Sequence, residues 1–417
     1  MYQAYQANSD FLKPLRALAK WSAPMLLDAN LGAATLSSSR MVAAACKVMA
    51  LSEVTHKRPP WAIDSITVKG DARGNIIWPV SEEVVTATPF ATLLRFRKHG
   101  AHPSQDQQPK VLVVAPMSGH FATLLRDTVR TLMQDHDVHV TDWHNVRDVP
   151  LSAGRFGLDE YTQHIIDFLA VMTGENGPNC HVVAVCQPTV SALAAVAIMS
   201  EDKHPATPAS LTLMAGPIDC RISPTAVNKL ATTKPIEWFE KNLISTVPWR
   251  HGGGGRRVYP GFVQLSAFMS MNKDRHSNAF KEYYKHLVAD EFDKAEVTRT
   301  FYEEYMAVAD LSADFYLETV RLVFQDYALP KGELMFKGRL VNPAAIRRTA
   351  LLTIEGERDD ICAIGQTLAA QDLTPNLRPY MRTHYVQSNV GHYGVFSGRR
   401  WQNHIYPVVR NVIQVSQ

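Results

Sequence analysis

His181-Val182-Val183-Ala184-Val185-Cys186-Gln187-Pro188-Thr189-Val190 begins as an apolar, β-branched run of strand type and breaks sharply at Cys186. An Ala-rich helical pattern from Thr189 to Ser200 follows at once. Strand, tight turn carrying a nucleophile and then helix is the layout of a nucleophile elbow. Such a turn lifts the reactive side chain to the top of a sheet, and the helix N-terminus behind it favours a thiolate. The elbow departs from the usual wording, because Ala184 and Pro188 stand two residues either side of Cys186, where glycines are the rule. Proline suits a first helical turn, having no N–H to leave unpaired.

Working outward, Val111-Leu112-Val113-Val114-Ala115 is fully apolar, the mark of a strand buried on both faces of a parallel sheet. It ends in Pro116-Met117-Ser118-Gly119-His120 and leads into an amphipathic helix, Ala122 to Gln134. Val138 to Trp143 reads as the next strand, Leu158 to Thr173 as a helix, and Gly174 to Pro178 as a break. Beyond the elbow helix, Leu211 to Ala215 and later Ala350 to Ile354 are again buried strands, and Arg382 to Gln387 is the last. Strands alternating with helices predict right-handed βαβ units in a doubly wound, mostly parallel sheet with its chemistry at the strand C-termini.

Before this core, Ser65 to Lys69 and Thr92 to Phe96 read as short strands around a turn at Gly70 to Gly74, with a polar loop from Arg97 to Pro109. Residues 1–56 read as a helical segment in which Phe11, Leu15, Leu18 and Trp21 recur at helical spacing. The reading adopted packs them on the protein's own core, the alternative being a surface helix that touches an apolar partner. Residues 57–216 and 346–417 form the two parts of the core. Residues 217–345 are a mainly helical cap, with one long helical stretch from Thr298 to Phe324 and a hinge or disordered loop at Gly252 to Gly255. Those glycines are not followed by Lys-Ser/Thr, so they are no phosphate loop.

Composition narrows the function classes. Of 417 residues, 43 are Lys or Arg and 40 Asp or Glu, a near balance that gives no support to nucleic-acid binding. The five cysteines, Cys46, Cys180, Cys186, Cys220 and Cys362, are odd in number, scattered and without a CxxC pair. A disulfide framework or zinc site is therefore not expected, and a reducing cytoplasm fits. The start of the chain lacks signal-peptide features, and the most apolar early window, Met41 to Leu51, contains Lys47 and is too short to span a bilayer.

Three residue types now stand at strand ends in the order nucleophile, acid, histidine: Cys186, Asp359 and His392. That is the order of α/β-hydrolases. Asp359 lies in Gly356-Glu357-Arg358-Asp359-Asp360-Ile361, just past a buried strand, and is preferred to Asp360 because Ile361 is placed to anchor the loop. His392 sits between Gly391 and Gly394, where the backbone can present the ring; its competitor His384 reads as a strand residue. In the expected mechanism Asp359 orients His392, His392 holds or deprotonates Cys186, and the thiolate attacks an ester carbonyl to form an acyl-cysteine. Backbone N–H groups of Gln187, Met117 and Ser118 would receive the oxyanion, with His120 and Asp142 as candidate pocket residues. No metal site is expected.

Beyond the triad, several stretches resemble the intracellular poly(3-hydroxybutyrate) depolymerases of storage-granule bacteria. They are Val185-Cys186-Gln187-Pro188-Thr189-Val190, Pro116-Met117-Ser118-Gly119-His120, Gly216-Pro217-Ile218-Asp219, Arg257-Val258-Tyr259-Pro260-Gly261-Phe262, and Gly391-His392-Tyr393-Gly394-Val395-Phe396-Ser397-Gly398-Arg399-Arg400-Trp401. The resemblance runs over nearly the whole chain and implies an α/β-hydrolase fold with a helical cap. It maps the nucleophile onto Cys186, the acid onto Asp359 and the histidine onto His392. It also implies a cytoplasmic protein on storage granules that acts on amorphous polymer without a required cofactor. A thioester intermediate is close in energy to an acyl-CoA, so coenzyme A could replace water as co-substrate. A homo-oligomer is compatible with all of this. A polyester synthase shares fold and triad, but its Gly-x-Cys-x-Gly elbow is absent. A granule-binding protein with a vestigial triad is the reading from a different class.

Overall fold

The computed structural model describes residues 1–28, 33–68, 74–100, 108–174 and 180–417. Most of the expected turn at 70–74 and parts of the expected loops at 97–109 and 174–178 lie outside the described residues.

Nine strands form the main sheet: β1 (Ser65–Val68), β2 (Ile76–Ala87), β3 (Ala91–Lys98), β4 (Lys110–Val114), β5 (Asp137–Trp143), β6 (Cys180–Val185), β7 (Ser210–Met214), β8 (Ala350–Gly356) and β9 (Arg382–Gln387). Their spatial order is β1-β2-β3-β5-β4-β6-β7-β8-β9. The first three strands are antiparallel to their neighbours, and everything from β5 to β9 is parallel. The apolar runs read from the sequence are the central strands, buried on both faces because helices cover each side. This is the α/β-hydrolase fold.

The order of strands places the site. From β4 the chain goes through helix α3 (Arg126–Leu132) to β5 on one side and then, through helix α4 (Leu158–Thr173), to β6 on the other. The sheet therefore reverses its winding at β4, and a crevice opens beyond the carboxyl ends of β4 and β6. Met117 and Cys186 both leave the sheet there. Helix α5 (Thr189–Glu201) starts directly behind Cys186 and is buried on nearly every side, as its almost uniformly apolar sequence requires.

Helices α1 (Tyr2–Asp28) and α2 (Ala33–Leu51) pack on each other. The expected burial of the large α1 stripe does not hold: Phe11, Leu15, Leu18, Trp21 and Met25 face solvent, and the helix buries Tyr2, Ala19 and Ala23 instead. Close packing of α1 against its neighbours favours small side chains, so the bulky apolar positions turn outward. Between β7 and β8 lie helices α6 (Ala226–Thr232), α7 (Ile236–Leu243), α8 (Gly261–Met271), α9 (Lys273–Val288), α10 (Phe292–Tyr305) and α11 (Ala313–Glu318). Ala44 and Leu51 of α2 join Tyr283, Leu287, Tyr302 and Tyr305 of α9 and α10 in a second apolar cluster, so the N-terminal helices brace this insertion.

Two expectations about the insertion are corrected. The stretch from Thr298 to Phe324 is not one helix: α10 ends at Tyr305, and Leu311–Ser312 pairs as a strand with Arg257–Tyr259 before α11 begins. The intervening bridges of Ala307 to Thr55 and Val308 to His120 win over local helix propensity. Nor is the Gly252–Gly255 segment a loose loop. The Gly253 N–H donates to the Arg147 carbonyl at 2.8 Å, and a Cβ on Gly252 or Gly253 would stand 2.6 Å from the carbonyl oxygens of Asp148 and Arg147. These glycines are there for close backbone contact.

No helix among the described residues is long and apolar enough to cross a membrane.

Candidate active site

Cys186 adopts φ of +67°, the left-handed region that costs a non-glycine residue about 1–2 kcal/mol. Three hydrogen bonds hold it there. The Cys186 N–H donates to Met214 O at 2.8 Å, the Thr189 N–H to Cys186 O at 3.2 Å, and the Ala192 N–H to Pro188 O at 2.8 Å. Pro188 has φ −70° and ψ −5°, the φ its ring imposes, at the entry of α5 where a donor would have no intrahelical partner. Proline at the elbow thus fixes the turn without strain.

The glycine that an elbow usually needs has moved to the neighbouring strand end. A Cβ on Gly216, just beyond β7, would lie 1.9 Å from Oγ1, 2.3 Å from Cγ2 and 2.4 Å from Cβ of Thr189, the first residue of α5. Gly216→Ala is therefore expected to lower stability by about 3 kcal/mol through overpacking, read as a shift of the guanidinium midpoint at constant slope. Adding Thr189→Ala removes the two nearest atoms and should recover part of the loss; full stability in the single variant would refute the clash.

Asp359 and His392 meet as the order of strands predicts. Asp359 follows β8, and its Oδ1 accepts the N–H groups of Ile361 and Cys362 at 2.9 and 2.8 Å. Its Oδ2 accepts His392 Nδ1 at 2.8 Å, with both side chains buried. The acid loop and the histidine loop are tied together by the Arg358 N–H on Val390 O and the Glu357 N–H on Gln387 O. Burial pushes the His392 pKa down, but the Asp359 carboxylate and the neighbouring Cys186 sulfur outweigh it, and the value stands well above 6.5. Cys186 acts on the His392 ring as a neighbouring charge, and with Nδ1 engaged by Asp359 the remaining ring nitrogen is Nε2. Asp360 is exposed and takes the Asn272 amide at 3.4 Å, and His384 lies on Thr353 within β8 and β9. Neither competes for the site.

Among the described residues the backbone N–H groups of Gln187 and Ser118 have no hydrogen-bond partner. The Met117 N–H donates to the Gln187 side-chain Oε1 at 3.2 Å, an oxygen that occupies one of the three expected oxyanion donors. His120 is buried behind the site. Its Nε2 lies 3.1 Å from Tyr305 O, its ring stacks on Phe268, and burial lowers its pKa to about 4 despite that carbonyl. It joins the β4 loop to the insertion as a neutral ring. Asp142 is not part of this site: it lines a separate crevice with His56, Arg58 and Glu82, its Oδ2 is 3.3 Å from Arg58 Nε, and burial raises its pKa to about 6. In the sheet β4 lies between β5 and β6, which sets the end of β5 and Asp142 two strands away from Cys186.

Several supporting residues escaped the sequence reading. Trp143 Nε1 and Tyr161 Oη both donate to the Ala115 carbonyl at 2.9 Å, fixing β4 where its pairing ends. Glu355, fully buried at the end of β8, accepts the N–H groups of Gly365, Thr367 and Leu368 at 2.7–3.0 Å. It braces the segment after Asp359. Its only sequence signal is a carboxylate inside an otherwise apolar strand. Glu355→Ala leaves those donors unpaired and is expected to cost about 3 kcal/mol, measured as a fall in denaturation midpoint; an unchanged midpoint would dismiss the brace.

A cavity of about 270 Å³ borders the site, walled by Phe268, Phe301, Tyr305, Tyr393 and His392, with charged groups at its edge. Its wall mixes aromatic rings with polar and charged side chains, among them Asn272, His276 and Asp360.

Residues 215–417 match the family described as PHB de-polymerase C-terminus, where PHB is poly(3-hydroxybutyrate). The matched region holds Asp359 and His392 and begins after Cys186. Among curated proteins the sequence has no match. Among solved structures, the α/β hydrolase GrgF from Penicillium sp. sh18 superposes with TM-score 0.44 at 14% identity, covering 81% of this chain and 98% of its own. The 2-hydroxy-6-oxo-6-phenylhexa-2,4-dienoate hydrolase of Rhodococcus sp. strain RHA1 gives 0.43 at 13%, covering 81% and 99%. A thermophilic esterase from Thermogutta terrifontis gives 0.41 at 13%, covering 84% and 98%. At that level the assignment of the fold rests on the strand order itself.

Proposed function

We propose that this α/β-hydrolase, which belongs to the poly(3-hydroxybutyrate) depolymerase family over residues 215–417, cleaves the ester bonds of that polymer through an acyl-cysteine at Cys186. The observation that carries the reading is the strained Cys186 at φ +67° facing a histidine whose other nitrogen is 2.8 Å from a buried carboxylate. A left-handed cysteine at a strand end is a conformation kept where function needs it.

In the first half-reaction the Cys186 thiolate adds to the ester carbonyl carbon, and the oxyanion takes the N–H groups of Gln187 and Ser118. The C–S bond forms, the C–O bond breaks, and His392 Nε2 gives its proton to the departing alkoxide. In the second, His392 removes a proton from the acceptor, which adds to the thioester and expels the thiolate. Water as acceptor yields 3-hydroxybutyrate or oligomers. Coenzyme A yields 3-hydroxybutyryl-CoA. The intact Asp359–His392 contact favours an enzyme over a vestigial binding protein. Location in the cytoplasm on polymer granules belongs to the same reading.

The test is purified protein on amorphous poly(3-hydroxybutyrate) granules, with and without coenzyme A, beside Cys186→Ala. Release of acid or acyl-CoA by the wild type alone supports the proposal. Granule binding without release would favour a binding protein, and chain growth from 3-hydroxybutyryl-CoA a synthase.

A further inference from the structure

The cavity beside the triad touches His392 but not Cys186. In an acyl transfer the histidine serves the alcohol that leaves and the acceptor that enters, so this cavity lies on the leaving-group and acceptor side. Arg275, in the first turn of α9, and Arg358, next to Asp359, both border it. Among the described residues neither guanidinium has an ion pair or hydrogen bond. Asp360 also reaches the rim, but its carboxylate takes the Asn272 amide at 3.4 Å. Two arginines against one carboxylate leave a positive edge on an aromatic pocket. Arg275 also borders a second cleft of about 820 Å³ in which four arginines stand beside four carboxylates, so the excess of positive charge is confined to the pocket beside His392.

We propose that Arg275 and Arg358 form an anion subsite for the group on the alcohol or thiol side of the scissile bond; this rests on the acyl-cysteine reading of the same site. Arginine is suited to it, because its planar fork pairs carboxylate and phosphate in two-pronged fashion. Two sources carry that chemistry. One is the terminal carboxylate of a polyester chain, which departs with the last hydroxyacid unit when the final ester is cut. The other is the phosphate-bearing body of coenzyme A approaching as acceptor. An anchored carboxylate makes the enzyme trim chains from that end, one unit at a time.

The test uses the inactive Cys186→Ala protein, in which binding is read without turnover by calorimetry. The probes are the 3-hydroxybutyrate trimer as free acid and as methyl ester, and coenzyme A beside pantetheine. If the chain end is the ligand, the free acid binds about tenfold tighter than its methyl ester, the worth of one charge-assisted pair. Adding Arg275→Gln or Arg358→Gln brings that ratio toward one, and Arg275→Lys keeps part of it. If the acceptor is the ligand, the same pattern separates coenzyme A from pantetheine instead. In the active enzyme the glutamine variants raise KM for the charged probe about tenfold more than for the neutral one. Equal binding of charged and neutral probes in both pairs overturns the subsite, as does an equal loss on both in the arginine variants. Cleavage that persists in Cys186→Ala sinks the cysteine mechanism instead and leaves the binding ratios interpretable.

Discussion

Cys186→Ala is expected to lower release of 3-hydroxybutyrate units from amorphous polymer by about 10⁴-fold or more, the scale at which removal of a nucleophile removes covalent catalysis. Granule binding should survive, because Cys186 is a small half-buried residue and the elbow is held by backbone hydrogen bonds that alanine also makes. The variant carries a second signature. Burial lowers the His392 pKa, and it stands above 6.5 only because Asp359 and Cys186 together overcome that burial. Removing the sulfur takes away one of the two opposing partners, so His392 should titrate at a lower pH in the variant, followed by the NMR shift of its ring. Cys186→Ser makes the complementary case. A hydroxyl must give up its proton to His392 as it attacks, whereas a thiol ionises far more readily, so serine should restore little activity. Undiminished release in Cys186→Ala, or an unmoved His392 titration, would remove Cys186 from the mechanism.

Much of this arrangement could be read in the amino-acid sequence because it is written locally. Val111–Ala115 and Val182–Val185 are unbroken apolar runs and Ala350–Ile354 is interrupted only by Thr353, the pattern of strands buried on both faces. Cys186 and Asp359 each follow such a strand closely, His392 follows the polar edge strand β9, and parallel strands put all their carboxyl ends on one edge. What stayed hidden depends on partners distant in the chain. Asp142 ends a strand as well, yet β5 lies on the far side of β4 from Cys186, and the pattern of apolar residues does not report strand order. The glycine relief at the elbow sits on Gly216, because Thr189 meets the end of β7 rather than residues near Cys186. The α1 stripe repeats at helical spacing whether it faces a core or water, so periodicity alone chose the wrong side. At Gly252–Gly255 the composition of a flexible linker is also the composition of a backbone pressed against carbonyls, and only the contacts separate the two.

Asp359→Asn is expected to lower kcat/KM by about 10⁴-fold with little change of shape, because the loss is one of proton placement. The carboxylate accepts three N–H groups, two from the Ile361 and Cys362 backbone and one from His392. An asparagine oxygen that keeps the two backbone donors turns its NH₂ toward His392 Nδ1. That nitrogen must then be the acceptor, and the proton of the neutral ring moves to Nε2, where it can no longer take one from Cys186. The pH dependence follows in sign. Burial, no longer opposed by the carboxylate, lowers the His392 pKa, so the alkaline limb of activity, where the imidazolium is lost, moves to lower pH. Stability gives an independent reading. A histidine whose folded pKa is raised contributes stability that is complete below its unfolded value of about 6.5 and vanishes as pH rises through the folded one. The stability of the wild type over Asp359→Asn should accordingly be larger at about pH 5.5 than in the alkaline range, measured by denaturant titration at both. A gap that widens with rising pH would mean that the pair is not held as imidazolium and carboxylate. His392 would then act as a neutral base, and Cys186 would wait as a thiol.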